Sequence, residues 1–222
     1  MTDLQERFQR TRTALDAATG TRAVRLLAVS KTQPAESVRA MAALGQRAFG
    51  ENYVQEALTK QRDLADLDLE WHLIGPLQSN KCKDAAAHFD WVQSIDRDKL
   101  IPLLATFRPP DRAPLNLLVQ VNIDAEAGKS GCAPAMVDAL ADAIAAQPRL
   151  RLRGLMAIPK PAEDPTQRRA TFRRMRVLFD ALKQRHADID TLSMGMSDDF
   201  TLAIAEGANL VRIGSALFGP RG

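Results

Sequence analysis

Eight short apolar segments, each followed by a helix-like pattern, constrain the fold of this chain more than any other feature. The segments read as strands at about 25–30, 47–49, 70–74, 91–94, 115–121, 152–156, 191–193 and 209–213. Short apolar runs bounded by Gly, Pro and polar residues are typical of strands. Regular alternation of strands with helices indicates a parallel sheet. Eight such units therefore predict a closed (β/α)8 TIM barrel of the α/β class, with an extra N-terminal helix at residues 2–18.

An open doubly wound sheet is the alternative architecture for alternating strands and helices. A sheet of that kind that binds dinucleotides carries Gly-x-Gly-x-x-Gly after its first strand, and no such motif follows the first strand here. The chain also contains no internal repeat, low-complexity tract or linker. We therefore expect residues 1–222 to form a single barrel domain.

Composition and charge narrow the functional classes. The chain is 45% apolar and 26% charged, with a formal charge of only +3, as is ordinary for a soluble globular protein. An arginine-rich segment at 168–176 lacks interleaved aromatic residues, so it predicts a solvated helix face and not a nucleic-acid site. Cys82 and Cys132 have no paired spacing, and no signal sequence or membrane span is recognisable. A cytoplasmic protein is expected, with no membrane contact and no bound metal.

Polar residues lie at or near the carboxyl ends of most of the predicted strands. In a parallel barrel, residues at the carboxyl ends of the strands share one rim, which brings together Lys31, Asn52, His72, Gln93, Asn122, Ser193, Ser197 and Arg212. Lys31 ends the first strand, and a lysine partly removed from water keeps a neutral amine that can attack a carbonyl. The alternative is a lysine that merely extends into solvent.

The loops after the last two strands are the usual phosphate site of this architecture. Here they contain Gly195 and Ser197, and then Gly214 and Ser215. Glycine allows a close backbone approach, and serine offers a hydroxyl group to phosphate oxygens. A lysine facing a phosphate site predicts a phosphorylated carbonyl compound. Two such ligands remain open on this reasoning: a sugar phosphate, as in Schiff-base aldolases, or pyridoxal 5'-phosphate.

The chain resembles the pyridoxal phosphate homeostasis proteins, relatives of the barrel domain of alanine racemase. The resemblance covers nearly the whole chain in order. The matching segments are Ala28-Val29-Ser30-Lys31, Phe49-Gly50-Glu51-Asn52-Tyr53, the run from Trp71 to Lys81, Gly154-Leu155-Met156, the run from Ser193 to Asp199, and the run from Arg212 to Gly219.

This resemblance implies a role for each matching site residue. Lys31 would hold pyridoxal 5'-phosphate as a Schiff base, and Arg212 would lie near the pyridine nitrogen. Ser197, Gly214 and Ser215 would hold the phosphate. Asn52, His72 and Ser193 are further cofactor-binding candidates on the rim. Two of these have a plain alternative, because His72 could be a satisfied core histidine and Asn52 a turn residue.

The resemblance also implies a function in intracellular vitamin B6 and amino-acid homeostasis, without catalysis. Racemisation needs a base on each face of the substrate α-carbon. The racemase relatives take the opposing tyrosine from a second domain, which this sequence lacks, and the only tyrosine here is Tyr53. We expect a monomeric carrier that could serve apo-enzymes dependent on pyridoxal phosphate. The alternative is a racemase-like enzyme that uses Lys31 alone or with Tyr53.

Overall fold

Eight parallel strands close into a barrel in the computed structural model, which describes residues 3–160 and 164–219. The strands are β1 Arg25–Val29, β2 Ala48–Glu51, β3 Glu70–Leu73, β4 Trp91–Ile95, β5 Leu115–Gln120, β6 Leu150–Met156, β7 Thr191–Ser193 and β8 Leu210–Ile213. They follow one another around the barrel in chain order, and β8 pairs in parallel with β1 to close it. The predicted TIM barrel is confirmed.

Helices surround the barrel. They are α1 Asp3–Thr19, α2 Ala35–Ala43, α3 Val54–Asp63, α4 Cys82–His88, α5 Leu100–Phe107, α6 Val137–Ala145, α7 Pro165–Arg185, α8 Phe200–Ala205 and α9 Ser215–Phe218. The predicted helix at 2–18 corresponds to α1, although Thr2 lies outside the described residues. This helix precedes the first strand and packs against α8 and α9. Nothing among the described helices is both long and apolar enough to cross a membrane.

Local sequence signals account for where several helices begin. The Asp164 carboxylate accepts a hydrogen bond of 2.8 Å from the Thr166 N–H, and proline at 165 opens α7, as is favourable at a helix start. A similar carboxylate contact precedes α8. The Asp199 carboxylate accepts from the Met196 N–H at 2.7 Å, which makes a tight turn there and delays α8 to Phe200.

The core lies in two places because neighbouring side chains of a strand point to opposite faces. On β1, Leu26 and Ala28 belong to the large apolar cluster between barrel and helices. Leu27 packs with Ile74 and Leu210 in a separate, smaller cluster. Alternation places this second cluster inside the barrel. Along each strand, every second residue therefore points into the barrel, and each successive inward residue lies closer to the rim.

Gly154 marks the tightest approach between two neighbouring strands, β6 and β7. Its φ is +145°, and a Cβ atom there would lie 2.0 Å from the Thr191 carbonyl oxygen. Only glycine tolerates both the backbone angle and the contact.

Surface ion pairs neutralise most of the arginine-rich part of α7. The exposed arginines and their acidic partners are Arg169 and Arg173 with Glu206, Arg174 with Asp124, and Arg176 with Asp180. Arg168 differs from the predicted solvated face, because its side chain is only 11% exposed and lies 3.4 Å from Asp199. Its packing against the α8 turn removes it from solvent.

Candidate cofactor-binding site

A cavity of about 400 Å³ opens at the carboxyl ends of the strands. Six of the eight predicted cofactor-binding residues line it: Lys31, Asn52, Ser197, Arg212, Gly214 and Ser215. They come from the ends of β1 and β2, the loop after β7, the strand β8 and the residues after it. The structure therefore brings together residues that are up to 184 positions apart in the chain.

The position of Lys31 follows from the alternation of side chains along β1. Leu27 and Val29 point into the barrel, and Val29 already lines the cavity. Lys31 is the next residue with this orientation, so its side chain enters the cavity from the rim. It is partly buried.

A buried ion pair supports the backbone around Lys31. The Lys60 amine, on α3, donates to the Ser30 carbonyl oxygen at 2.6 Å and to the Glu51 and Glu56 carboxylates at 2.7 Å each. Glu56 also accepts from the Thr32 N–H at 2.5 Å. Thr32 has a φ of +65°, an unusual angle for a β-branched residue. Both neighbours of the cavity lysine are thus held by α3.

Glu51 is the buried end of this ion pair. It points outward from β2 and its side chain is completely buried. Burial raises the pKa of this carboxyl group, while the hydrogen bonds from Lys60 and Ser30 oppose the shift. The Ser30 hydroxyl donates to Glu51 Oε1 at 2.6 Å. Sequence reasoning missed this pair, because neither a lysine within a helix nor a glutamate within a strand signals its partner.

Two serine hydroxyls border the cavity beyond the ends of β7 and β8. Ser215 Oγ lies 3.1 Å from Ser197 Oγ, which also accepts from the Ala216 N–H at 3.4 Å. Ser215 is exposed and Ser197 is partly exposed. Both hydroxyl groups can therefore donate to an anionic oxygen placed in the cavity.

Arg212 places a buried positive charge beside the cavity. Its Nη1 donates to Ser193 Oγ at 2.7 Å and its Nη2 to the Ala157 carbonyl oxygen at 2.8 Å. Within the described ranges no carboxylate lies at ion-pair distance from it. Burial lowers the pKa of Arg212 to about 10, and Asp199 partly opposes this. The guanidinium is still cationic at neutral pH. A buried cation that borders a cavity is suited to a ligand atom with a free electron pair.

His72 and Ser193, the two remaining predicted residues, lie below the cavity and do not line it. His72 is completely buried, and its ring stacks on Trp91 with 5.2 Å between centroids. Its neighbour two residues later, Ile74, is the β3 residue that reaches the cavity. The structure therefore places His72 as a hydrogen-bonded core histidine, the alternative considered from the sequence.

Other cavity residues were not predicted. They include Gln120, Lys129, Ser130, Ile158 and Asp198. Gln120 is the last residue of β5, so the rule that identified Lys31 would also have found it. Tyr53 starts α3 with its side chain 65% exposed and does not contribute to the described lining. In the part of the chain that the structure describes, no three His, Cys, Asp or Glu residues cluster as metal ligands.

Comparison with known proteins agrees with this geometry. The family model for the alanine racemase N-terminal domain matches residues 2–222. A pyridoxal phosphate homeostasis protein of Pseudomonas aeruginosa is 57% identical over 198 residues, which cover 89% of this chain and 85% of that protein. This chain belongs to the pyridoxal phosphate homeostasis family. Its Escherichia coli K12 member is 52% identical over 201 residues, covering 89% of this chain and 86% of that protein.

Solved structures with the same barrel include a family relative. PipY of Synechococcus elongatus PCC7942, solved with pyridoxal phosphate bound, is 39% identical with a TM-score of 0.87. The match covers 98% of this chain and all of PipY. Alanine racemase of Corynebacterium glutamicum is 18% identical with a TM-score of 0.71, covering 98% of this chain and 62% of the racemase. That likeness concerns the fold alone.

The Lys60 ion pair yields a prediction about stability. We expect Lys60→Met to lower the free energy of unfolding by about 3 kcal/mol, because the buried Glu51 carboxylate loses its cation. Urea denaturation of the cofactor-free protein measures this change. The double variant Glu51→Leu with Lys60→Met removes both charges and should recover most of the loss. A Lys60→Met protein as stable as the wild type would contradict the assigned role of the pair.

Proposed function

We propose that this protein holds pyridoxal 5'-phosphate as a Schiff base on Lys31 and acts in intracellular homeostasis of the cofactor and of amino acids. The arrangement of Lys31, Arg212 and the hydroxyls of Ser197 and Ser215 around one cavity carries this proposal. The names of the relatives from P. aeruginosa and E. coli support the homeostasis role, and the PipY complex supports the choice of cofactor.

The residues fit the chemical groups of this cofactor. Pyridoxal phosphate supplies an aldehyde that condenses with a primary amine, with loss of water, and a pyridine ring that withdraws electrons. Lys31 provides the amine. Ser197 and Ser215 provide hydroxyl donors for the phosphate, with Gly214 beside them. Arg212 provides N–H donors for the pyridine nitrogen, and Asn52 is a further rim contact.

Arg212 favours binding of the cofactor over carbanion chemistry. A guanidinium beside the pyridine nitrogen opposes protonation of that nitrogen, because two positive charges would then adjoin in a buried site. An unprotonated ring withdraws electrons less strongly and stabilises a carbanion less well. This electrostatic argument supports a carrier over an amino-acid enzyme.

The placement of Tyr53 supports the same conclusion. Racemisation needs a second base across the substrate α-carbon from Lys31. The Tyr53 side chain is 65% exposed and does not belong to the described cavity lining. A racemase-like activity that uses Lys31 with Tyr53 would therefore require a large movement of that tyrosine.

Several broader features belong to the same proposal. We propose that residues 1–222 form one domain and that the protein works as a monomer. A cytoplasmic location agrees with two free, buried cysteines. Apo-enzymes that require pyridoxal phosphate are the proposed recipients of the cofactor.

The first test locates the covalent linkage. Adding pyridoxal phosphate should produce a visible absorption band that borohydride bleaches. Trypsin would then fail to cut at the modified Lys31, and the label should appear on the peptide spanning residues 26–39. Lys31→Ala should show neither the band nor the label, whereas Lys99→Ala, at an exposed lysine away from the cavity, should show both. A label on Lys129 in the wild-type protein would contradict the proposed anchor.

The phosphate contacts can be tested with two ligands that differ only in that group. We expect Ser197→Ala with Ser215→Ala to weaken binding of pyridoxal phosphate by about tenfold or more, because hydrogen bonds to a charged group are lost. Binding of pyridoxal, which has no phosphate, should change much less. Ser37→Ala on α2 is the control. Equal weakening for both ligands would show that the two hydroxyls do not contact the phosphate.

The carrier proposal also predicts little turnover. Incubating the loaded protein with L-alanine in D2O should exchange the α-hydrogen no faster than free pyridoxal phosphate does, as followed by proton NMR. Removal of that hydrogen requires both a well-placed base and an electron-withdrawing ring. Rapid exchange that disappears in Lys31→Ala would instead favour the racemase-like alternative.

A further inference from the structure

A line of hydrogen-bonded side chains crosses the interior of the barrel below the cavity. It joins the amino-terminal end of β3 to the arginine beside the cofactor site. The successive contacts are Glu70 Oε1 to His72 Nε2 at 2.6 Å, His72 Nδ1 to Gln93 Nε2 at 2.8 Å, Gln93 Oε1 to Ser193 Oγ at 2.7 Å, and Ser193 Oγ to Arg212 Nη1 at 2.7 Å.

The chemistry of these side chains fixes which atom donates and which accepts in each hydrogen bond of the line. Arginine can only donate, so Ser193 accepts from Arg212 and must donate its own hydrogen to the Gln93 carbonyl oxygen. The amide nitrogen of Gln93 then faces His72 Nδ1, which must accept. The hydrogen of the neutral imidazole is therefore on Nε2 and is donated to Glu70. At each of the four contacts in the line, a donor therefore meets an acceptor.

The surroundings of His72 maintain this arrangement. Burial lowers the pKa of His72, although the hydrogen bond to Glu70 opposes the shift. The other charged groups that act on His72 are Arg25 and Asp90. Burial would raise the pKa of Glu70, but its contacts with His72 and Arg25 outweigh that effect and bring it to about 2. The directions of the hydrogen bonds likewise require a neutral histidine that donates to an ionised glutamate.

We propose that His72 and Gln93 are positioning residues that, through Ser193, fix the direction in which Arg212 presents its remaining N–H donors to the cavity. The identity of the ligand in this inference rests on the proposed function. The line orients groups and does not conduct protons, because an amide cannot pass on a proton without changing its tautomer. Protonation of His72 Nδ1 would require the Gln93 amide to turn. Ser193 would then face two donors and lose the acceptor for its own hydrogen.

Histidine NMR tests the hydrogen-bond direction in the cofactor-free protein. The chain has three histidines, at positions 72, 88 and 186, so the His72→Gln spectrum assigns the buried ring. We expect its nitrogen shifts to report a neutral imidazole with hydrogen on Nε2 at neutral pH. Gln93→Glu should raise the pKa of His72, because the ring would then lie between two carboxylates. Hydrogen on Nδ1 in the wild-type protein would overturn the inference.

Binding of pyridoxal phosphate tests the effect on Arg212. We expect His72→Leu and Gln93→Leu to weaken binding by about tenfold, the equivalent of one lost hydrogen bond of about 1.4 kcal/mol. They should also shift the pH at which the absorption of the bound cofactor changes. His72→Asn places an oxygen near the former position of Nδ1, so it should restore much of the affinity that His72→Leu loses.

A matched control separates positioning from general damage to the interior. Asn116 is a partly buried polar residue that donates to the Asp90 carbonyl oxygen and accepts from Arg153, and its described hydrogen bonds include none to a member of this line. Asn116→Leu should therefore leave the affinity and the spectral titration unchanged.

The outcomes distinguish this inference from the function on which it rests. Folded His72→Leu and Gln93→Leu proteins that bind with wild-type affinity and spectra would overturn the inference, while a borohydride label on Lys31 would leave the proposed function intact. If no protein formed that label, the proposed function would fail. The NMR result would still decide the direction of the hydrogen bonds.

Discussion

Closure of a parallel barrel turns the alternation of side chains along each strand into a division between interior and exterior, and the rest of this structure depends on that division. Each strand sends every second side chain into a confined interior, and the closed ring leaves no free edge between β8 and β1. The inward positions form levels stacked from the amino to the carboxyl ends of the strands. Residues at the uppermost level line the cavity, including Lys31 and Ile74, and residues one level below support them. The role of an inward residue therefore depends on its level within the barrel.

Two buried cations near the cavity, Lys60 and Arg212, differ in how far the protein compensates their charge. Lys60 is surrounded by two carboxylates and a carbonyl oxygen, so its charge is compensated within the protein and its role is structural. Arg212 has a hydroxyl and a carbonyl oxygen as partners and no described carboxylate at ion-pair distance. A buried charge that remains partly uncompensated beside a cavity attracts a ligand, whereas a compensated one does not. This difference accounts for the assignment of Arg212 to the binding site and of Lys60 to its support.

His72 shows where sequence reasoning reached its limit. Grouping all polar residues near strand ends on one rim placed Lys31 and Asn52 correctly in the cavity lining, because both lie just beyond the ends of β1 and β2. His72 lies within β3, two residues before the position that reaches the cavity. A strand advances by about 3.3 Å per residue, so this offset lowers the side chain by about 7 Å. The predicted strand at 70–74 already contained His72, so grouping this residue with the rim overlooked its level within the strand.

The sequence by itself determined the architecture, the strand order and six of the residues that line the cavity. The alternation of eight strands with helices admits few topologies, and residues after strands must meet at one end of a parallel barrel. Only the tertiary structure decided the partners across the barrel and between its layers. Gln93 and Ser193 are 100 positions apart, yet they share a hydrogen bond, and Glu51 finds Lys60 across the gap between strand and helix. Such pairs depend on strand register and helix rotation, which are set by packing of the whole core and carry no local signal in the sequence.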